Sequence, residues 1–307
     1  MPRCNAGAVL EAARDPTAIG PLRLGQRTFD HRRPAVMAIV NRTPDSFYDR
    51  GATYGLDAAV ARVDAAVAEG ADIVDIGGVP AGHGADVDIS EELRRTRPLV
   101  SATRERYPAL VISVDTWRAE VAEALCAEGA DLINDPWAGA DPGVARVAAA
   151  YGVGLVCSHS DRLEPRARPR RVDYAGAGGV VADVIMHTCA LAERAVGLGV
   201  RSDAIVLDPT CDFGKNTLQS LELVRRLDEL VQTRWPVLVA MSHKDFIGET
   251  LDARLGDRLA GTLAATAVAV WHGALVVRAH EVAETRAVLD MVAAIRGDRP
   301  PAAPTRP

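Results

Sequence analysis

A (β/α)8 TIM barrel with a short N-terminal hairpin is the fold class that the sequence predicts, on three observations. Eight short apolar runs recur along the chain. They lack the polar alternation of half-exposed strands, which is how strands covered on both faces read. Each is followed by a polar or glycine-bearing break and then a stretch such as GLDAAVARVDAAVAEGA, with apolar residues at three- and four-residue spacing, the mark of a helix buried by one face. Eight such units over about 260 residues match a closed barrel.

The strands are expected, in order, at VMAIV (36–40), DIVDIGG (72–78), LVISVDT (110–116), DLINDP (131–136), GVGLVCSH (152–159), AIVLDPT (204–210), PVLVAMS (236–242) and ALVVRAH (274–280). Ahead of them, LRLGQRTFDHRRP (22–34) reads as a hairpin that closes the barrel's N-terminal end. A doubly wound open sheet is the alternative. Its glycine-rich dinucleotide fingerprint is absent, because NRTPDSF follows the first strand. Residues 1–21 read as an N-terminal tail, 22–297 as the single barrel, and the Pro- and Arg-rich 298–307 as a disordered C-terminal tail.

The 307 residues are 48% hydrophobic with a net charge of −6, which argues against nucleic acid as a partner. Cys4, Cys126, Cys157, Cys189 and Cys211 are odd in number and form no C-x-x-C pair. They are expected as reduced thiols, in neither a disulfide framework nor a zinc site. No signal peptide or membrane span is visible, so a cytoplasmic protein with no membrane partner is expected.

In a barrel the site lies at the C-terminal ends of the strands. There the sequence places Asn41, then Asp115 and Thr116, then Asn134 and Asp135, then Ser158 and His159, Asp208, the trio Ser242, His243 and Lys244, and finally Arg278 and His280. A lone Asp or Asn at a strand end is more often a turn former or helix cap than a ligand. Asp135, before Pro136, and His159 read singly as structural. Seven polar endings on one rim reverse the odds and indicate a small-molecule site. Asp115, Asp208, Asn134 and Lys244 suit a flat, nitrogen-rich heterocycle: carboxylates accept paired N–H groups, while the amide and ammonium serve ring nitrogens and carbonyls. Arg278 and His280 add anion binding. No Ser-His-Asp or Cys-His arrangement is visible, and no His/Glu cluster has metal-ligand spacing; a metal would be a weakly held Mg²⁺ shared with phosphate.

MAIVNRTPDSFYDRG, VDIGG, ISVDT, LINDP, LDPTCDFGK, SHKDFIGET and VRAHEV together resemble dihydropteroate synthase over roughly residues 22–297. The resemblance implies condensation of 6-hydroxymethyl-7,8-dihydropterin pyrophosphate with 4-aminobenzoate, release of pyrophosphate, use of Mg²⁺, a homodimer and sulfonamides as inhibitors of the family. It implies that Asp115, Asn134, Asp208 and Lys244 hold the pterin, with Lys244 and Asp49 in catalytic roles. Asn41 matches the Mg²⁺–pyrophosphate contact, and Arg278 and His280 match pyrophosphate binders. Phe47, Phe213 and Asp245 fall at the second-substrate site, where the residue after the lysine receives the benzoate carboxylate.

The sequence departs from the family pattern at defined places. The family's G-G-E-S-[ST]-R-P-G loop is Gly77-Gly78-Val79-Pro80-Ala81-Gly82-His83-Gly84, without its arginine. S-R-K is Ser242-His243-Lys244, and D-P-G-x-G-F is Asp208-Pro209-Thr210-Cys211-Asp212-Phe213. Asp245 is expected to place like charges together. All these changes concern the second substrate or the leaving group, as in a divergent second actinobacterial copy. Three readings follow: a working synthase, a pterin-binding paralogue with weak or no synthase activity, and a pterin methyltransferase, which the NRTPDSF loop and Lys244 disfavour.

Overall fold

The computed structural model describes residues 20–43, 53–80, 86–160, 164–166, 173–174 and 178–303. An antiparallel hairpin, β1 (Leu22–Leu24) and β2 (Arg27–Phe29), precedes eight parallel strands. These are β3 (Ala35–Asn41), β4 (Ile73–Gly77), β5 (Val111–Asp115), β6 (Leu132–Asp135), β7 (Gly154–Ser158), β8 (Ile205–Asp208), β9 (Leu238–Ala240) and β10 (Val276–Ala279). Seven fall within an apolar run named above, and β3 extends its run by one residue at each end. The sheet runs β8-β7-β6-β5-β4-β3-β10-β9. It closes where Leu207 bridges Val237 and donates its N–H to the Pro236 carbonyl at 2.8 Å.

Helices cover the outside: α1 (Leu56–Ala68), α2 (Ile89–Arg106), α3 (Ala119–Ala127), α4 (Gly143–Tyr151), α5 (Gly179–Gly197), α6 (Thr217–Arg225), α7 (Leu227–Val231), α8 (Asp245–Leu251), α9 (Leu259–Trp271) and α10 (Val282–Arg296). Their buried faces meet Val36, Val74, Ile76, Ile112, Ile133, Ile205 and Val277 in one core between sheet and helices. A second core fills the lower half of the barrel with Met37, Ile73, Val111, Leu132, Val156, Val206, Leu238 and Val276. The strands do alternate, then, but both faces are buried and the lower positions of both are apolar, which is why the sequence shows unbroken hydrophobic runs.

Leu22, Leu24 and Phe29 of the hairpin are buried in this inner core, so the hairpin plugs the N-terminal end as the sequence implied. Gly154 is required there. A Cβ on it would lie 2.4 Å from Leu24 Cδ2 and 2.7 Å from the Ala204 carbonyl, closer than packed atoms tolerate. Asp72 pins the plug: its carboxylate accepts from Arg27 at 2.8 Å and from the Val36 N–H at 3.1 Å.

Candidate functional site

Above the apolar half, the inner face turns polar. Asp75, Ser113, Asp115, Asn134, Ser158, Asp208 and Arg278 form an upper layer, several in direct register: Asp75 opposite Ser113, Asp115 opposite Asn134, and Ser158 opposite Asp208. The residues expected to hold a heterocycle and those expected to bind an anion therefore share one rim.

Asp75 is the hub of this layer, and sequence reasoning missed it by reading its strand as merely apolar. Its carboxylate has no exposed surface. It accepts from Ser113 Oγ at 2.6 Å, Asn134 Nδ2 at 3.1 Å and Arg278 Nε at 2.6 Å. Arg278 also gives Nη2 to Asp115 at 2.9 Å. One guanidinium thus bridges two carboxylates and fixes the Asn134 amide and Asp115 at once. A carboxylate inside an apolar run, two residues before a strand end, was the available signal.

Burial pushes the Asp115 carboxyl up to about 7, against the pull of Arg278 and with Asp75 adding repulsion. Burial also raises Asp208, although its carboxylate accepts the Thr210 N–H at 2.7 Å and faces Lys244 and Lys215. Because Asp115 holds its proton more tightly folded than unfolded, it favours folding most at low pH. That contribution is lost as pH rises from the ordinary carboxylate range through about 7. Asp115→Asn keeps an acceptor for Arg278 and removes the buried charge. It is expected to raise the stability at pH 8 by about 2 kcal/mol and to change it little at pH 4. Thermal unfolding at the two pH values checks this; equal shifts at both would refute the buried-charge account.

Lys244 Nζ lies 4.6 Å from the centre of the Phe213 ring, which in turn meets Trp137 edge-on at 5.6 Å. The loop after β8 is held by Lys215, whose ammonium donates to the carbonyls of His159, Thr210 and Phe213 at 3.2, 3.1 and 2.9 Å. Thr210 and Asp212, standing at the two lost glycines, both adopt positive φ, 48° and 71°. A left-handed conformation at such residues costs roughly 1–2 kcal/mol each. The backbone thus keeps the glycine geometry while the side chains have changed.

Asp212 has a specific consequence. Its Oδ2 accepts the N–H of Asp245 at 2.7 Å and of Phe246 at 3.3 Å, so a carboxylate of the chain itself sits at the start of α8. Asp245 points elsewhere, with Oδ1 2.9 Å from Arg258 Nη1. The expected crowding of like charge by Asp245 is corrected accordingly: Arg258 neutralises Asp245, and the intruding charge is Asp212.

His243 is 2% exposed, at φ 53°, with Nε2 2.7 Å from Glu281 Oε1 and Nδ1 3.1 Å from the Leu255 carbonyl. It therefore turns into the protein instead of toward a ligand. Ser242 Oγ lies 2.9 Å from His280 Nδ1 and 3.3 Å from Glu281 Oε2. That Ser-His-Glu contact was not visible in the sequence, since Glu281 lies beyond the strand. Asn41 ends β3 across from Gly77. A Cβ at Gly77 would sit 3.1 Å from Asn41 Oδ1 and 3.5 Å from Asp115 Cβ, so the glycine leaves room beside the amide oxygen.

Phe47, Asp49 and the segment Ala81-Gly82-His83 lie outside the described residues. Asp135 caps its turn, as expected, by accepting the N–H groups of Trp137 at 2.9 Å and Gly139 at 2.8 Å. Burial pushes the thiols of Cys126, Cys157 and Cys211 up to about 12, which leaves no thiolate among them at neutral pH. His159, 1% exposed, meets Asp183 and His187. The expectation that no cluster has a metal-ligand arrangement is therefore corrected: Asp183 and His187 are one helical turn apart on α5, and the fold alone brings His159 to them.

A family model described as "Pterin binding enzyme" matches residues 37–280. A Mycobacterium leprae protein named "Inactive dihydropteroate synthase 2" is 58% identical over 270 residues, covering 88% of this chain and 93% of that protein. A Synechocystis "Dihydropteroate synthase" is 38% identical over 266 residues, covering 85% and 90%. The Yersinia pestis dihydropteroate synthase solved with a sulfonamide drug complex superposes with a TM-score of 0.84 at 32% identity, covering 91% of this chain and all of that one.

Proposed function

The chain belongs to the pterin binding enzymes, in the dihydropteroate synthase family, and from that premise we propose that it binds a dihydropterin pyrophosphate but transfers it to 4-aminobenzoate weakly or not at all. The observation that carries this reading is Asp212. Its carboxylate occupies the N–H groups of Asp245 and Phe246, where the family receives the carboxylate of the second substrate. A benzoate there would have to displace a covalently tethered competitor of the same charge. The M. leprae relative's name, with its word "Inactive", agrees with this reading.

The first-substrate pocket shows no comparable loss. Asp115 and Asp208 accept pterin N–H groups, Asn134 and Lys244 serve ring nitrogen and carbonyl, and Asp75 holds Asn134 and Arg278 in place. Ser158 Oγ, buried beside Asp208, has no partner among the described residues. An orphaned hydroxyl in a polar layer supports a ligand there. Arg278 and His280 receive the pyrophosphate.

Mg²⁺ fits the mouth in one way. Asn41 offers a single neutral oxygen with space around it, which suits an ion held mainly by substrate phosphate and water. Bound so, Mg²⁺ supplies charge stabilisation to a departing pyrophosphate. No helix among the described residues is long and apolar enough to cross a membrane, and we place the protein in the cytoplasm. Exposed Val268 and Trp271 on α9 with Met291 and Ile295 on α10 support the homodimer the family implies.

Two measurements test the proposal. Calorimetry should detect binding of a pterin analogue, and its absence would sink the proposal. Steady-state assay with Mg²⁺, the pterin pyrophosphate and 4-aminobenzoate should show turnover at least ~100-fold below the Synechocystis relative, the loss expected from two missing guanidinium groups and one occupied anion site. Normal turnover would overturn the proposal. Asp212→Gly combined with Gly82→Arg and His243→Arg should recover activity.

A further inference from the structure

The side chains of His159, Asp183 and His187 meet just outside the strand ends, and the pterin chemistry does not use them. His159 follows β7, while Asp183 and His187 lie four residues apart on α5. Asp183 Oδ1 is 2.8 Å from His159 Nε2 and 3.0 Å from His187 Nδ1. Asp183 also presents its main-chain carbonyl to His187 Nδ1 at 2.9 Å. The two imidazole rings stand 5.6 Å apart at 62°, and the three donor atoms lie within 4.8 Å of one another.

These spacings are close to those around a metal. Tetrahedral Zn²⁺ with bonds of ~2.0–2.1 Å holds its ligands ~3.3 Å apart. The observed gaps to Asp183 are a few tenths of an ångström shorter, as for groups now bridged by protons. A rotamer adjustment of that size admits the cation, and binding then releases the protons.

The donor set is also selective. Two imidazoles and one carboxylate suit Zn²⁺ and its first-row neighbours and suit Mg²⁺ poorly. His159 Nδ1 is buried and bonded to no described group, so it can carry the ring's one proton and leave the Nε2 lone pair facing the ion. The site has an opening, since the side chains of Asp183 and His187 are 28% and 31% exposed. Three protein ligands with one exposed side leave the fourth position to water.

We propose that His159, Asp183 and His187 form a Zn²⁺ site that clamps α5 onto the C-terminal end of β7. The clamp would bear on the pterin pocket through the backbone. The His159 N–H donates to the Asp208 carbonyl at 3.1 Å, and the His159 carbonyl accepts from Lys215 Nζ at 3.2 Å and from the Thr210 hydroxyl. Occupancy would stiffen the strand end that carries Asp208 without contacting the substrate.

The test uses the full chain stripped with chelator, in buffer with millimolar Mg²⁺ to saturate any phosphate-type site. Zn²⁺ titration should give one equivalent bound at micromolar affinity or tighter and a rise in melting temperature. Co²⁺ in its place should give the visible absorption of a tetrahedral N/O site. His187→Ala and Asp183→Asn, both at half-exposed positions, should each weaken binding at least 30-fold and abolish the thermal shift. His159→Ala, being buried, is informative only if its circular dichroism matches that of the parent. Affinity weaker than ~100 µM in the parent would overturn the proposal. So would Zn²⁺ binding unchanged in His187→Ala, which would place the ion elsewhere. Pterin-analogue binding is measured in parallel. It should survive in His187→Ala, which separates failure of the metal site from failure of the pterin reading.

Discussion

Asp75→Ala is expected to lower the free energy of unfolding by about 3–5 kcal/mol, because it leaves Arg278 and the Asn134 amide in a largely buried layer without their common acceptor. Ser113 loses its partner at the same time. For a chain of this size the melting temperature should fall by roughly 10 °C. Asp75→Asn should cost less, since an amide oxygen still accepts one of the three donors. Urea unfolding with both variants decides it. A loss below 1 kcal/mol for Asp75→Ala would mean that Asp115 alone satisfies the guanidinium, and that Asp75 is a bystander.

Asp208→Ala should reduce pterin-analogue affinity by about 100-fold with the barrel intact, because it removes a buried carboxylate that can receive two parallel N–H groups. The only described bond to its side chain that is lost from the protein is that from the Thr210 N–H. Calorimetry at pH 8 measures it, and Asp208→Asn should fall between parent and Ala. Affinity within threefold of the parent would move the heterocycle away from β8 and with it the whole assignment of the pocket. The pair of variants is complementary: one empties the scaffold beneath the ligand, the other the contact to it.

The strand positions and the hairpin were legible because burial on both faces leaves a direct trace in composition. The places of Asp115, Asn134, Asp208 and Lys244 at the rim were legible because each lies at or just past the end of an apolar run, where a polar residue stands out. What escaped has a common physical cause. Asp75 sits inside a run rather than at its end, and its meaning depends on Arg278, which is brought to it only by closure of the sheet through β3. Asp212 looked like a lost glycine, and only the loop's left-handed backbone aims its carboxylate at α8. Asp245 was read as a charge at the mouth and His243 as a polar strand ending in an arginine's place, yet Arg258 and Glu281 draw them aside. His159 meets α5 across an intervening stretch whose length gives no hint of the encounter. Local pattern reveals which positions are buried and which are polar; it does not reveal which polar groups find one another.

The hairpin plug has one more implication. Leu24 against Gly154 and Arg27 on Asp72 anchor the barrel at the rim opposite the strand ends that carry the site, so these contacts involve none of the loops above. A lineage can therefore discard a loop arginine, or a loop glycine at a strain cost of roughly 1–2 kcal/mol, while the anchored fold persists, and selection would feel such losses mainly through chemistry. The same separation makes the chain a tolerant recipient for grafted loops. Its upper rim is a surface on which a new acceptor specificity could be installed piece by piece.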